Sequence, residues 1–428
     1  MRLLKVISLV GCLVMAGTAA AYILIPHNPV YSSHVASRVL TASITPKQPA
    51  RATPTPTPTP TKAAAPKPKK VPVQTPSPAQ SAAAALSSAL AKQSKASTLY
   101  GFAAGSSLPS LSLSALDTRL NGMKALGVGW IRFDFDWGNI EPSQGQFNWS
   151  SYDQVVSAAS SRGIRTIGII DYAPSWARSS ACRGSFACEP SSPSAYGAFA
   201  AAVASHYAAF GVHTWEIWNE PNNTEFFQPA ADPVTYTAML KSAYVDIKQV
   251  DPGANVLTGG LAPEDTGNGY MSPPDFITAI YADGAAGYFD AVADHPYTFP
   301  VTAAYNNPLD AWGQMSSIHQ IMSWHGDGNK QIWITEYGAP TGGPGPVAYA
   351  NNYDVQASVV TEGMQAQMVT DFFNQSAALP WLGPRMWYSY QDAGTTQDTN
   401  ENFFGLVRAD GSLKPAYYAF AQAMAGVH

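Results

Sequence analysis

From about Thr98 onward, the apolar and polar positions of the chain switch repeatedly between two periods. Short apolar runs, dense in β-branched and aromatic residues, lie near 99–103, 129–135, 165–171, 213–219, 255–260, 289–295, 331–336 and 385–390. Runs of this length bounded by turn residues predict buried strands. Between them lie longer amphipathic stretches, among them 152–162, 195–209, 233–250 and 354–376, with a last one at about 415–425. These predict helices. Strands that alternate with helices imply a parallel sheet of the α/β class, and eight such units over residues 98–428 imply a (β/α)8 TIM barrel with long loops. A doubly wound open sheet is the rival, but it should carry a Gly-rich phosphate turn after its first strand. Gly101-Phe102-Ala103-Ala104-Gly105 fits that poorly.

Alternation along the second run sharpens the barrel reading. Ile131, Phe133 and Phe135 would face the helices, which turns Trp130, Arg132 and Asp134 inward. Charge inside a barrel is costly unless it is matched. Charged residues near the carboxyl end of a barrel strand usually belong to the site. A buried ion pair that only orders the core is the alternative.

Ahead of the barrel, the pattern changes character. Arg2 and Lys5 precede an almost unbroken apolar run over 6–25, which predicts an export segment. Ala19-Ala20-Ala21 offers a small-residue cleavage site, yet the run continues past it. About 20 apolar residues suffice to span a bilayer, so residues 1–25 read as a signal peptide or a membrane anchor. Leu9-Val10-Gly11-Cys12 faintly resembles a lipoprotein box, with too short a segment before the cysteine. Residues 26–97 are rich in Pro, Thr, Ala and Lys and include four consecutive Thr-Pro repeats from Thr53 to Pro60. That composition cannot bury a core and predicts a disordered, extended linker.

Charge follows the same boundary. Residues 1–97 carry 11 Lys and Arg and no acid, which leaves 13 basic against 29 acidic residues, a net of −16, in the remainder. So acidic a domain repels a phosphate backbone, and nucleic acid is not an expected partner. Cys182 and Cys188 are the two cysteines outside the apolar segment. In an exported protein a pair so close in sequence is expected to close a small loop as a disulfide. Nothing in the spacing of histidines and acids calls for a metal, and no cofactor is expected. His206, His319 and His325 fall in or near predicted outer helices.

The candidate chemistry sits where two strands end. Trp215-Glu216-Ile217-Trp218-Asn219-Glu220 runs into Pro221-Asn222, and Gln331-Ile332-Trp333-Ile334-Thr335-Glu336 is broken by Tyr337-Gly338. Two carboxylates ending the fourth and seventh strands are what a retaining glycosidase needs, one to move a proton and one to attack the sugar carbon. A general acid must hold its proton, so apolar surroundings such as Trp218 suit Glu220. A nucleophile must stay ionised, and Arg132 and Tyr297 are the donor candidates for Glu336. Sugars also pack their C–H faces on aromatic rings. Trp137 and Trp176 follow the second and third strands and are candidate platforms.

The run from Trp215 to Asn222 resembles the acid/base signature of clan A glycoside hydrolases, which are retaining (β/α)8 enzymes. Phe226-Phe227, Tyr236, residues 247–252 and Gly259-Gly260, with His295-Pro296-Tyr297 and residues 404–407, are most similar to glycoside hydrolase family 39, in its bacterial polysaccharide endoglycosidase branch. The resemblance covers essentially all of 98–428. It implies Glu220 as acid/base, Glu336 as nucleophile, Asn219 on the sugar 2-hydroxyl, and Arg132 holding Glu336 ionised. It implies His295 and Tyr297 as site-lining residues that orient Glu336, and Trp387 or Tyr388 as the sugar platform of the eighth strand.

The expectation is therefore an exported, monomeric, endo-acting retaining glycosidase whose partner is a polysaccharide or oligosaccharide, either secreted or tethered outside the membrane through residues 6–25. Another clan A specificity, such as an α-L-arabinofuranosidase or β-1,4-glycanase, and a non-catalytic wall-binding protein are the alternatives.

Overall fold

The structure, a computed structural model, describes residues 95–305, 307–349 and 357–427. The predicted export segment, nearly all of the predicted linker and the first residues of the helix predicted from 354 lie outside the described residues.

Eight parallel strands make one sheet. They are β1 (Tyr100–Ala103), β2 (Trp130–Asp136), β3 (Arg165–Asp171), β4 (Thr214–Ile217), β5 (Asn255–Leu257), β6 (Val292–Asp294), β7 (Ile332–Ile334) and β8 (Leu382–Tyr388). Their order is β5-β4-β3-β2-β1-β8-β7-β6, so neighbours in sequence are neighbours in space. Parallel bridges from Leu257 to Ala291 and from Leu261 to Asp294 bring the two edges together. This is the (β/α)8 barrel expected from the alternating pattern.

The helices are α1 (Leu113–Ala125), α2 (Ser150–Ser160), α3 (Pro193–Ala208), α4 (Pro233–Val250), α5 (Pro273–Ala282), α6 (Ala311–Trp324), α7 (Glu362–Ala377) and α8 (Pro415–Gly426). Most begin where a side chain can satisfy the orphan backbone N–H groups of a first turn. Ser112, Ser192, Asp232, Ser272, Asp310 and Thr361 each accept such a bond, and such caps contribute about 1 kcal/mol apiece. The cap at Thr361 also corrects the helix predicted from 354. Val359–Val360 pairs with Val347–Ala348 in a small parallel ladder, and α7 starts only after it. Among the described residues, no helix is long and apolar enough to cross a membrane.

Strand alternation sorts the core into two layers. Ile131, Phe133, Phe135, Trp215, Ile217, Ile332 and Ile334 face outward and pack beneath the helices. Trp130, Ile167, Leu257, Ala293, Trp333 and Met386 fill the barrel interior, where the Trp130 and Trp333 rings meet edge to face at 5.5 Å. One inward step further along the strands, the apolar plug gives way to Arg132, Glu216 and Thr335, all buried. The floor of the barrel is apolar, and its carboxyl-end mouth is polar.

Candidate active site

Glu220 is presented by a sharp exit from β4. Trp218 (φ 71°) and Glu220 (φ 46°) both adopt the left-handed backbone, which costs non-glycine residues about 1–3 kcal/mol each. The surroundings hold that conformation in place. The buried Trp218 indole N–H donates to the Phe226 carbonyl at 2.7 Å, and the Glu220 backbone N–H donates to the Gly260 carbonyl at 3.0 Å. Asn222 accepts from the Ala262 backbone N–H at 2.9 Å and donates to the carbonyls of Ala262 and Met271, each at 2.8 Å. The loop carrying Glu220 is thereby fastened to the end of β5.

Glu336 lies just past β7, across the mouth from Glu220. Arg132, entirely buried on β2, donates through Nη1 to Glu336 Oε1 at 2.5 Å. The same guanidinium grips Glu216 of β4 with Nε and Nη2, each at 2.8 Å, and reaches Asn219 Oδ1 at 2.9 Å. Glu216 also accepts from Gly260 N at 2.8 Å and Thr335 Oγ1 at 3.2 Å. Arg132 therefore ties β2, β4 and the end of β7 into one ionic network. The Tyr297 hydroxyl donates to the other oxygen of Glu336 at 2.6 Å.

His295 completes the group. Its Nδ1 is 2.9 Å from Glu220 Oε1 and 3.9 Å from Glu336 Oε2. One oxygen of Glu220, one of Glu336 and a ring nitrogen of His295 all lie within 4.8 Å of one another. Such a trio of donors could also hold a divalent cation, but the guanidinium already bound to Glu336 opposes one electrostatically. The opposite edge of the histidine ring is packed against Gly260, where a Cβ would collide with the imidazole and with Thr335.

The electrostatics separate the two carboxyls. Burial raises the pKa of both. For Glu220 the Glu336 carboxylate is the next largest influence and raises it further, with Glu264 and Glu401 adding to this, so it stands well above the ordinary range. For Glu336, Arg132 and the Tyr297 hydroxyl pull back down against burial, and the net rise is smaller. Burial would lower the Arg132 pKa, but the carboxylates of Glu216 and Glu336 outweigh it and keep the guanidinium charged. Burial, then the nearby Arg132 charge, push His295 well below its usual value, so its ring is neutral.

Several residues were not visible as site residues in the chain. Glu216 hides in an apolar strand run, although a mid-strand charge opposite in sign to Arg132 was a usable signal. Tyr388, not Trp387, points into the mouth. Trp387 pairs in register with outward-facing Phe102 and is buried against Tyr337 and Phe372, whereas Tyr388 donates to Glu401 at 2.8 Å. Glu401 and Glu264, the latter held by Asn223 at 3.0 Å, sit on long loops with no pattern of their own. Burial moves both up to about 7.

Trp137 also departs from expectation. Asp136 caps the short helix Trp137–Ile140, and this turn swings the indole back onto Phe199, 5.0 Å away and stacked, in the core. Fully buried, with its N–H on Glu141 at 2.6 Å, it offers no face to a sugar. Trp176 is half-buried, edge-on to Trp137. Cys182 and Cys188 form a disulfide. His206 lies in α3 against Asp153, His319 in α6 against the Gly328 carbonyl, and His325 caps α6, all away from the mouth.

Comparisons with known proteins agree with this architecture. The family model for cellulase (glycosyl hydrolase family 5) matches residues 103–383. No curated protein sequence matches the chain. Among solved structures, a family 39 glycoside hydrolase from the gut symbiont Bacteroides cellulosilyticus WH2 is 24% identical with a TM-score of 0.59, over 76% of this chain and 63% of that one. A monomeric β-xylosidase from Caulobacter crescentus CB15 is 18% identical with a TM-score of 0.54, over 76% and 67%. A family 5, subfamily 18 enzyme from Streptomyces cattleya, solved with GlcNAc, is 17% identical with a TM-score of 0.56, over 76% and 79%. The chain thus spans about two thirds of the length of the first two, and the likeness to all three is one of fold. With the family model matching well over half of its length, the chain belongs to the cellulase family, glycosyl hydrolase family 5, and is a retaining glycoside hydrolase of clan A.

Proposed function

We propose that this enzyme cleaves internal linkages of an extracellular or cell-wall polysaccharide by double displacement, with Glu336 as nucleophile and Glu220 as acid/base. The observation that carries the reading is the carboxyl pair itself, with oxygens within 4.8 Å of each other. Retaining enzymes hold their carboxyl groups about 5–5.5 Å apart, whereas inverting enzymes need about 6.5–9.5 Å to admit a water.

In the first step Glu336 attacks the anomeric carbon, the bond to the leaving oxygen breaks, and Glu220 gives that oxygen its proton. In the second, Glu220 takes a proton from water as the water oxygen displaces Glu336 from the sugar. Arg132 and Tyr297, which donate to the two oxygens of Glu336, keep it ionised and aimed. With Asn219 Oδ1 engaged by Arg132, the Asn219 amide N–H groups remain to bind the 2-hydroxyl. The neutral His295 ring can accept from protonated Glu220 or donate to its carboxylate, so it supports both halves of the cycle.

The family model supports a β-linked glycan as substrate. Export is supported by the apolar segment over 6–25 and by the disulfide, which suits an oxidising compartment. The enzyme is secreted or tethered to the outer face of the membrane, with residues 26–97 as the spacer. The test is release of reducing ends from β-glucan, xylan, mannan, arabinan and galactan by residues 98–428. Mid-chain products from at least one polymer are expected. Saccharide binding with no turnover of any of them would favour a wall-binding scaffold instead.

A further inference from the structure

The barrel mouth carries more negative charge than the proposed chemistry uses. Asp134 lies on the inward face of β2, one inward step beyond Arg132 towards the carboxyl end. It is only 5% exposed, and no hydrogen bond or ion pair joins its carboxyl to any described residue. Both oxygens nevertheless stay open on the mouth, unlike those of Asp171 at the end of β3, which are sealed as well as unbonded. Arg132 is felt at Asp134 as a charge, but it directs its N–H groups to Glu216, Glu336 and Asn219. Glu264 and Glu401 add two carboxyls from the loops after β5 and β8. Each is held through one oxygen, by Asn223 and by the Tyr388 hydroxyl, and both act on Glu220 through space.

A buried acceptor with no donor is costly. A carboxyl kept in that state at a substrate cleft points to a ligand that supplies the missing donors. Asp134 is not needed to keep Glu220 protonated, because burial, Glu336 and Glu264 do that and Asp134 is not among the main influences there. A metal ion fits poorly. Among the described residues, Glu220, His295 and Glu336 are the one trio spaced for a cation, so Asp134 lacks companion ligands. A chain of uronic acids or sulfated sugars would meet like charge. A neutral hydroxyl can donate, but it leaves the repulsion among the carboxyls in place. An ammonium group brings three N–H donors and a compensating charge together. Burial, chiefly, raises Asp134 to about 7, and a bound ammonium favours its ionised form.

We propose that Asp134 binds the ammonium group of an amino sugar, and that the substrate is a β-linked polysaccharide whose units carry free amino groups. This rests on the polysaccharide reading above and narrows its substrate. Glu264 and Glu401 extend the same preference along the cleft, where a field of one sign gathers a chain of the other.

The test gives the full-length enzyme β-1,4-glucosamine oligosaccharides, their N-acetylated forms and β-1,4-glucose oligosaccharides of equal length, and reads kcat/KM on each. The free-amino form should be preferred over both others. That preference should fall about 10- to 100-fold in Asp134→Asn and shrink in the native enzyme as ionic strength rises. Glu264→Gln, a milder change on a partly exposed side chain, should lower it in the same direction and serves if Asp134→Asn does not fold. A native enzyme that handles the neutral or N-acetylated form as well as the free-amino form overturns the proposal, as does a preference that neither substitution changes. Turnover of aryl glycosides or of a neutral polymer, but not of the free-amino form, also overturns it and leaves the catalytic pair standing. Turnover of none of these substrates removes the glycosidase reading, and this proposal with it.

Discussion

Glu336 and Glu220 face each other across one small space, yet the chemistry around them is opposite. The β7 side is a region of donors, with a buried guanidinium on one oxygen of Glu336 and a phenol on the other. The β4–β6 side is a region of neutral and acidic groups, where Glu220 meets an uncharged imidazole and feels three other carboxyls. Burial acts on both carboxyls in the same direction. What separates them is compensation, because Arg132 and the Tyr297 hydroxyl bond Glu336 directly, whereas the Arg132 charge acts on Glu220 only through space. Two glutamates at equivalent places in a barrel are given unequal proton affinities by their neighbours, which is what the proposed division of labour requires.

The largest test of that contrast is Glu336→Gln. The substitution keeps shape and removes the proposed nucleophile, so turnover should fall by on the order of 10⁴ or more with an unchanged thermal midpoint. Near-native release of reducing ends would assign the attack elsewhere.

Next in size is Glu220→Ala. Loss of the proposed acid should cost about 10²–10⁴ on substrates with poor leaving groups and far less on activated aryl glycosides, whose phenols leave without help. Equal loss on both, measured as single-turnover glycosylation rates, would contradict the assignment.

Tyr297→Phe probes the donor side more gently. A hydrogen bond to a charged group contributes about 1.5–3 kcal/mol, which predicts a fall in kcat/KM of about 10- to 100-fold. Losing a donor that lowers the Glu336 pKa should also move the acid limb of the pH profile to higher pH. An unmoved limb would mean that Arg132 alone holds the charge.

The smallest expected effect is on stability. Burial raises Asp134 and Glu264 to about 7 and Asp136 to about 6, and Glu401 to about 7. Between the ordinary carboxylate range and those values the folded state holds protons that the unfolded chain has released. Stability therefore falls as pH rises through that window. The denaturation midpoint should be higher at pH 5 than at pH 8, and the reverse order would show that other groups dominate.

The mouth was legible in the chain only in part, and the failures have a common origin. Glu220 and Glu336 could be found because each ends an apolar run abruptly, which is a local signal. Arg132 could be found because alternation turned it inward. Its pairing with Glu216 had only a mid-strand charge of opposite sign to announce it, since β2 and β4 are separated by β3 and the two side chains meet only inside the closed barrel. Trp137 looked like a platform because it follows a strand, but one capped turn sends its ring into the core. The choice between Trp387 and Tyr388 is a one-residue question of register, and β8 answers it by pairing Trp387 with an outward-facing residue. Gly260 shows the same dependence, since its need for a bare backbone comes from a histidine on another strand.

By itself, the order of residues determined the alternation of strand and helix, the acidic character of the domain, and the two glutamates at strand ends. Each of these depends on period, composition or a nearby turn. Tertiary structure alone decided which glutamate is surrounded by donors, which aromatic rings are buried in the core, and how closely the carboxyls approach. Those properties depend on groups from different strands, and only closure of the barrel brings them within a few ångströms of one another.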